Sequence, residues 1–235
     1  MARQAAQARA KVGRPAAKVP RRASQKDEAR ARMRDPDRTV EDIITIATEE
    51  FARKGLAGAR VDEIAERMRT SKRTIYYYFG GKEALYLAVL EAAYRRARKI
   101  DSPDALDHLG PSAALAELVR RTFDFQAANE DYVRLVMNEN VQRAAFLKQI
   151  TDMRGLNAPA IEALRSIYER GVKTGEFRRG LDPIDIHQTI SSLAFFNVSN
   201  RYTFAHLFDR DMTSPAAHAR RRASVVETVL RYVEA

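Results

Sequence analysis

The sequence predicts an all-α fold of about nine helices, and three observations carry that expectation. Apolar residues recur at the 3.6-residue period of a half-buried helix in run after run. The runs are punctuated by helix stops and starts: Gly55, the Gly80-Gly81 pair, "NAP" at 157–159 and "LDP" at 181–183. No β-branched alternation bracketed by hairpin turns occurs anywhere, so no sheet is expected.

Taken in order, the chain opens with a basic arm. Residues 1–34 hold eleven Lys or Arg against two acids, a net of +9 out of +10 for the whole chain, so the other residues sum to +1. The arm has hardly any large apolar residues and cannot bury enough surface to fold alone, which sets residues 1–36 apart as a disordered segment. Two roles fit it: a solubilising tail, or a polycation that adds salt-sensitive phosphate contacts. In the second, "GRP" at 13–15 could lay Arg14 in a minor groove. The arm lacks the apolar block of a secretory leader, and no run approaches the ~20 apolar residues of a membrane span. Cysteine is absent, which removes disulfides, thiolate catalysis and thiolate metal sites, and fits the reducing cytoplasm as the expected location.

Val40, Ile43, Ile44, Ala47 and Phe51 line one face of a first helix, opened near Pro36 or Thr39 and ended by Gly55. Val61, Ile64, Ala65 and Met68 repeat the spacing in a short second helix. A third covers 72–79 and a fourth runs from 82 to about 99. The segment 101–111, "DSPDALDHLGP", breaks the pattern and marks the boundary between a domain at 37–100 and a larger one at 111–235. Amphipathic runs follow near 112–129, 131–149, 157–174, 183–205 and 216–234.

The third helix, within "TSKRTIYYYF", holds three consecutive tyrosines. Helical spacing splits them. Tyr78 shares a face with Ile75 and Phe79, while Tyr76 and Tyr77 point outward with Arg73 and Thr74. That outer face offers a guanidinium, a hydroxyl and two phenols, a set suited to phosphate oxygens and base edges. A short amphipathic helix, a tight turn and then this helix is the layout of a helix-turn-helix, whose second helix enters the major groove of double-stranded DNA. Lys82 opens the fourth helix, where the macrodipole disfavours a cation unless an anion docks there.

Residues 43–90 carry a specific resemblance. "FARKG" closing the first helix, "VDEIAER", "TSKRTIYYYF" and "KEALYLAVL" resemble the DNA-binding domain of TetR-family transcriptional regulators. The resemblance implies that Lys72, Arg73, Thr74, Tyr76 and Tyr77 face DNA and that Lys82 meets a phosphate. Two positions depart from the family pattern. Arg69 stands where glycine is usual in the turn, implying a left-handed residue at ~1–2 kcal/mol. Ala59-Arg60 replace the small hydroxyl residue that opens the second helix, so a phosphate contact there would come from Arg60, and the cap is left undefined. The stretch "GEFRRGLDPIDIHQTISSL" resembles regulators of pyrimidine breakdown within the family.

A helix-turn-helix needs far fewer residues than the chain has, so the remainder is expected to dimerise, to sense, or both. The run 183–205 carries apolar groups on both faces, Ile186, Ile190, Leu193 and Phe204 against Phe195 and Tyr202, as a helix between its own core and a partner would. With Val226, Val229, Leu230 and Val233 of the last run it resembles the family's homodimer interface of two helices per subunit. Asn140 and Arg143 on the stripe of Val133, Val136 and Met137, with Tyr168 and Asn197 on theirs, are the candidates for a cavity taking a small, neutral or weakly anionic effector. The bland alternative is that these groups bond to backbone or across a dimer.

The leading reading is thus a dimeric, effector-responsive repressor on a palindromic operator, without cofactor or metal. A sensor-less DNA-binding protein is the alternative. Catalysis is not expected: the four histidines, His108, His187, His206 and His218, form no metal-binding or general-base pattern, and no glycine-rich phosphate loop occurs.

Overall fold

The computed structural model describes residues 36–99 and 106–235. The expected basic arm with Arg14, and residues 101–105 of the expected boundary at 101–111, lie outside them. The described residues form ten α-helices and a short 3₁₀ turn at Leu147–Gln149. These are α1 (Pro36–Gly58), α2 (Val61–Arg67), α3 (Lys72–Phe79), α4 (Lys82–Arg98) and α5 (Pro111–Ala128), then α6 (Glu130–Val141), α7 (Met153–Thr174), α8 (Pro183–Ser199), α9 (Arg201–Phe208) and α10 (Pro215–Val233). Among them no strand forms beyond an isolated bridge of Phe177 to Glu234. No described helix is long and apolar enough to cross a membrane.

Two cores organise the helices. The first gathers Ile43 and Phe51 of α1, Ile64 of α2, Ile75 of α3, and Leu85, Tyr86 and Val89 of α4. It does not stop at α4: Tyr132, Val133 and Leu135 of α6 and Val198 of α8 belong to it. The second joins Leu115, Val119 and Phe123 of α5 to Leu164 and Ile167 of α7, Ile186 and Ile190 of α8, and Val225 and Val229 of α10. Each fully buried side chain of this size contributes roughly 1.5–3 kcal/mol, so both cores are substantial.

The structure departs from the sequence expectation at four joints. Gly55 breaks α1 at φ 65°, ψ 175°, a region that a Cβ excludes, yet one more turn follows to Gly58. The run 131–149 ends early, at Val141, because Arg143 and Ala144 both turn left-handed, at φ 57° and 58°. The α7 helix starts before "NAP": the carboxylate of Asp152 accepts from the Gly155 amide at 3.1 Å, and Pro159 lies inside the helix. The run 183–205 is two helices, parted at Asn200 (φ −108°, ψ 6°), which accounts for the tenth helix. After α7, the Gly175 turn brings Phe177 against Gly171, so closely that a Cβ there would lie 2.0 Å from the ring.

Candidate nucleic-acid interface

The α2–turn–α3 unit is built from local rules. Val61, Ile64 and Ala65 bury one side of α2, and Asp62 and Glu63 sit in its first turn, where the macrodipole favours acids. Its N-cap is Arg60, which offers no side-chain acceptor to its own helix. Glu50 of α1 lends its carboxylate instead, accepting from the Arg60 amide at 3.4 Å. Glu50 is fully buried, with Arg53 and Lys54 at 2.8 and 2.9 Å. Burial resists its ionisation, but hydrogen bonds from Lys54 and Arg53 outweigh that and hold the carboxyl below its ordinary range. The cap that sequence left undefined thus comes from a residue that sequence reasoning passed over. The signal was an acid lying in phase with Ala47 and Phe51.

The turn closes with two crossed backbone bonds: Thr70 donates to Ala65 and Arg69 to Glu66, each at 2.9 Å. This pattern needs a left-handed residue after the cap, and Arg69 supplies it at φ 55°, as expected from its place in the turn. Ser71 then caps α3, its hydroxyl accepting from the Thr74 amide at 3.2 Å and lying 2.9 Å from the Thr74 hydroxyl.

On α3, Ile75 is fully buried and Tyr78 and Phe79 pack on the first core. The other side faces solvent: Tyr76 is 37% exposed and Tyr77 82%. Neither phenol hydroxyl, nor the guanidinium of the exposed Arg73, has a hydrogen-bond or ionic partner among the described residues. Lys72 sits 3.1 Å from Asp62 and over the Tyr76 ring at 5.7 Å, and Arg60 lies 3.8 Å from the same Asp62. Exposed pairs of this kind are worth only about 0–1 kcal/mol, so both cations can trade Asp62 for a phosphate. Thr74 is half-buried and its hydroxyl is engaged with Ser71, which ties this candidate to the helix start. Lys82, in the first turn of α4, donates to the Ala57 carbonyl at 3.3 Å. It bridges the end of α1 to the helix after α3.

The effector candidates do not converge. Asn140 is exposed and donates to its own helix at Val136, 2.9 Å away; Arg143 is exposed in the left-handed turn. Neither can line a cavity among these helices, which corrects the expectation. The helix is turned from the expected stripe: the buried face of α6 carries Tyr132, Val133, Leu135 and Glu139, while Met137 is exposed. Tyr168 is buried, but its hydroxyl donates to the Arg178 carbonyl and accepts from the Leu181 amide, both at 2.9 Å. It clamps the loop after α7. Asn197 is buried beside a cleft of 710 Å³ that Phe204, Phe208 and Arg221 also line. Two polar groups that were not anticipated are buried elsewhere: Gln126, whose Oε1 has no partner among the described residues, and Glu139. His187 is half-buried, and burial with Arg98 nearby pulls its pKa below the usual imidazole range.

Comparison with known proteins agrees with this geometry. Residues 43–89 match the family described as bacterial regulatory proteins, tetR family, and residues 111–229 match the tetracyclin repressor-like C-terminal domain. The chain is 31% identical to the HTH-type transcriptional repressor NicS of Pseudomonas putida over 188 residues, spanning 80% of this chain and 89% of that protein. It is 30% identical over 149 residues to the HTH-type transcriptional regulator RutR of Escherichia coli, spanning 61% and 64% of the two chains. The crystal structure of SCO4942 from Streptomyces coelicolor superposes with a TM-score of 0.62 at 30% identity, covering 82% of this chain and 97% of that one. A short helix with a polar outer face, set in a bundle that matches at both ends, admits one conclusion: the chain belongs to the TetR family of bacterial transcriptional regulators.

Proposed function

We propose that the chain is a homodimeric transcriptional repressor that reads a palindromic operator with α3 and releases it when a small-molecule effector binds. One observation carries the reading. On a single eight-residue helix Ile75 is sealed in the core while Tyr77 stands almost free in solvent beside an unpaired Arg73. A side chain so exposed and so rich in hydrogen-bonding capacity is suited to the major groove. Arg73, Tyr76 and Tyr77 read base edges and adjoining phosphates; Arg60, Lys72 and Lys82 take phosphates; Thr74 orients the helix start. The working units are 37–100 for DNA and 111–235 for regulation and dimerisation, with the basic arm, 1–36, as a separate segment. The dimer forms through α8, α9 and α10, where Phe196, Leu207 and Phe208 stand exposed.

The effector site belongs to the regulatory half. Support comes from Gln126, whose buried and unpartnered Oε1 would accept a donor from a ligand. The name of NicS, a repressor, favours repression over activation. The test is footprinting of the full-length protein on genomic DNA, followed by titration of the protected fragment with Arg73→Ala and Tyr77→Ala. Expected is a protected inverted repeat and loss of affinity of ~1–3 kcal/mol for each variant. Wild-type affinity in both variants would remove α3 from the interface.

A further inference from the structure

The DNA-binding half is fastened to the regulatory half by a buried carboxylate. Glu139, on α6, is 2% exposed, and no cation pairs with it among the described residues. Its Oε1 accepts from the Tyr86 hydroxyl of α4 at 3.0 Å. Its Oε2 accepts from the amides of Phe146 and Leu147 at 3.2 and 2.9 Å. A buried carboxyl group held by three donors is costly to assemble, and it persists only where the surrounding chain fixes every donor. The chain does so at a price in backbone strain. Arg143 and Ala144 both take left-handed conformations, and the Ala144 amide returns to the Glu139 carbonyl at 2.7 Å, so that residues 146–147 fold back over the side chain.

The same residues pack as well as bond. Tyr86 sits edge-on between Phe51 of α1 and Phe146 of the turn, with ring centroids 5.0 and 5.4 Å apart. Beside it Asn138 donates to the Phe51 carbonyl at 3.3 Å. Tyr86 stands one helical turn beyond Lys82, on the helix that follows α3 after the Gly80-Gly81 stop. Burial, and then the charge of Glu139, push the Tyr86 hydroxyl far above the ordinary phenol range, so it remains a donor at any physiological pH.

We propose that Glu139 and Tyr86 are positioning residues for operator binding: their bond sets the tilt of α4, and with it Lys82 and α3, against the regulatory half. The inference rests on α3 being the reading helix. Neither residue touches DNA. A shift of α6 that withdraws Glu139 frees α4 to tilt, and the two reading helices of a dimer lose their common spacing.

The test uses the full-length dimer and the DNA fragment that it protects. Tyr86→Phe removes one hydroxyl and keeps the ring; Glu139→Gln keeps an acceptor for the turn and the volume. Arg73→Ala serves as the direct-contact control. Tyr86→Phe is expected to bind roughly tenfold more weakly, the scale of a typical coupling between sites. Its salt dependence and base preference should stay wild-type, because the number and identity of contacts are unchanged. Spin labels at the start of α3 in each subunit should report a broadened distance in the free dimer, and Glu139→Gln should fall between Tyr86→Phe and wild type in both readouts. Wild-type affinity and a wild-type distance distribution in Tyr86→Phe, with only a lowered melting point, would reduce the bond to core packing and overturn the proposal. If Tyr86→Phe does not fold, Glu139→Gln decides by the same two readouts. Unaltered binding by Arg73→Ala would instead show that α3 is not the reader, a separate failure.

Discussion

Two helices of eight residues, α3 and α9, both push aromatic side chains into solvent, and they do so for opposite reasons. The α3 helix is anchored by a fully buried Ile75 and presents Arg73, Tyr76 and Tyr77, every one able to make hydrogen bonds that nothing in the described chain satisfies. The α9 helix has no buried residue at all. Its outward groups are Leu207 and Phe208, 72% and 64% exposed, and Phe208 continues a ladder of rings through Phe204 to Phe196. Even the phenol of α9 differs: Tyr202 spends its hydroxyl on Glu130 at 3.2 Å. Exposure alone is uninformative. What the exposed atoms can bond to separates a face suited to a hydrated polyanion from one suited to another apolar surface.

Five substitutions press on that contrast, from the largest expected effect downward. Ile75→Ala should cost about 2–5 kcal/mol in denaturant unfolding, since it removes the fully buried side chain of α3. Phe208→Asp should weaken dimerisation by on the order of 2–4 kcal/mol while leaving the helical circular dichroism intact; a sedimentation coefficient unchanged at micromolar concentration would show that α9 is not a docking face. Tyr77→Ala should weaken operator binding by about 1–3 kcal/mol without changing sedimentation, the mirror image of Phe208→Asp. Lys72→Ala should act alike on all DNA sequences and lower the salt slope by about 1, as loss of one phosphate contact does. Arg69→Gly should raise stability by roughly 0.5 kcal/mol, relief of the left-handed strain offset in part by glycine's greater chain entropy.

How much of this was legible in the sequence varies with the physics of each element. The split of the tyrosine row in α3 could be read from helical spacing, because one apolar anchor in phase with Phe79 fixes which way everything else points. The left-handed Arg69 could be read from its place in the turn. The two buried carboxylates, Glu50 and Glu139, are legible only as acids out of place on an apolar face. Each lies on the buried side of its helix, and a lone acid there is by default assigned to solvent because ionised groups resist burial. Their compensation differs in reach: Arg53 and Lys54, one turn along the same helix, hold Glu50, with the Arg60 amide added from across the turn, whereas Glu139 is held by Tyr86 from another helix and by the 146–147 amides. The stripe of Val133, Val136 and Met137 includes Asn140, whereas the face that the structure buries runs through Tyr132, Val133, Leu135 and Glu139 and leaves Asn140 exposed. The break at Asn200 was hidden for a different reason: Ile186, Ile190 and Phe204 keep helical phase across it, so periodicity sees one helix where the backbone makes two.

Since Tyr132, Val133 and Leu135 complete the core shared by α1 and α4, the N-terminal helices are not a detachable cartridge. A hybrid that transplants only the first hundred residues onto a foreign sensor would leave an apolar seam open along α1 and α4. The smallest graft expected to stay intact takes α6 with it, and any ligand specificity encoded on that helix would travel along.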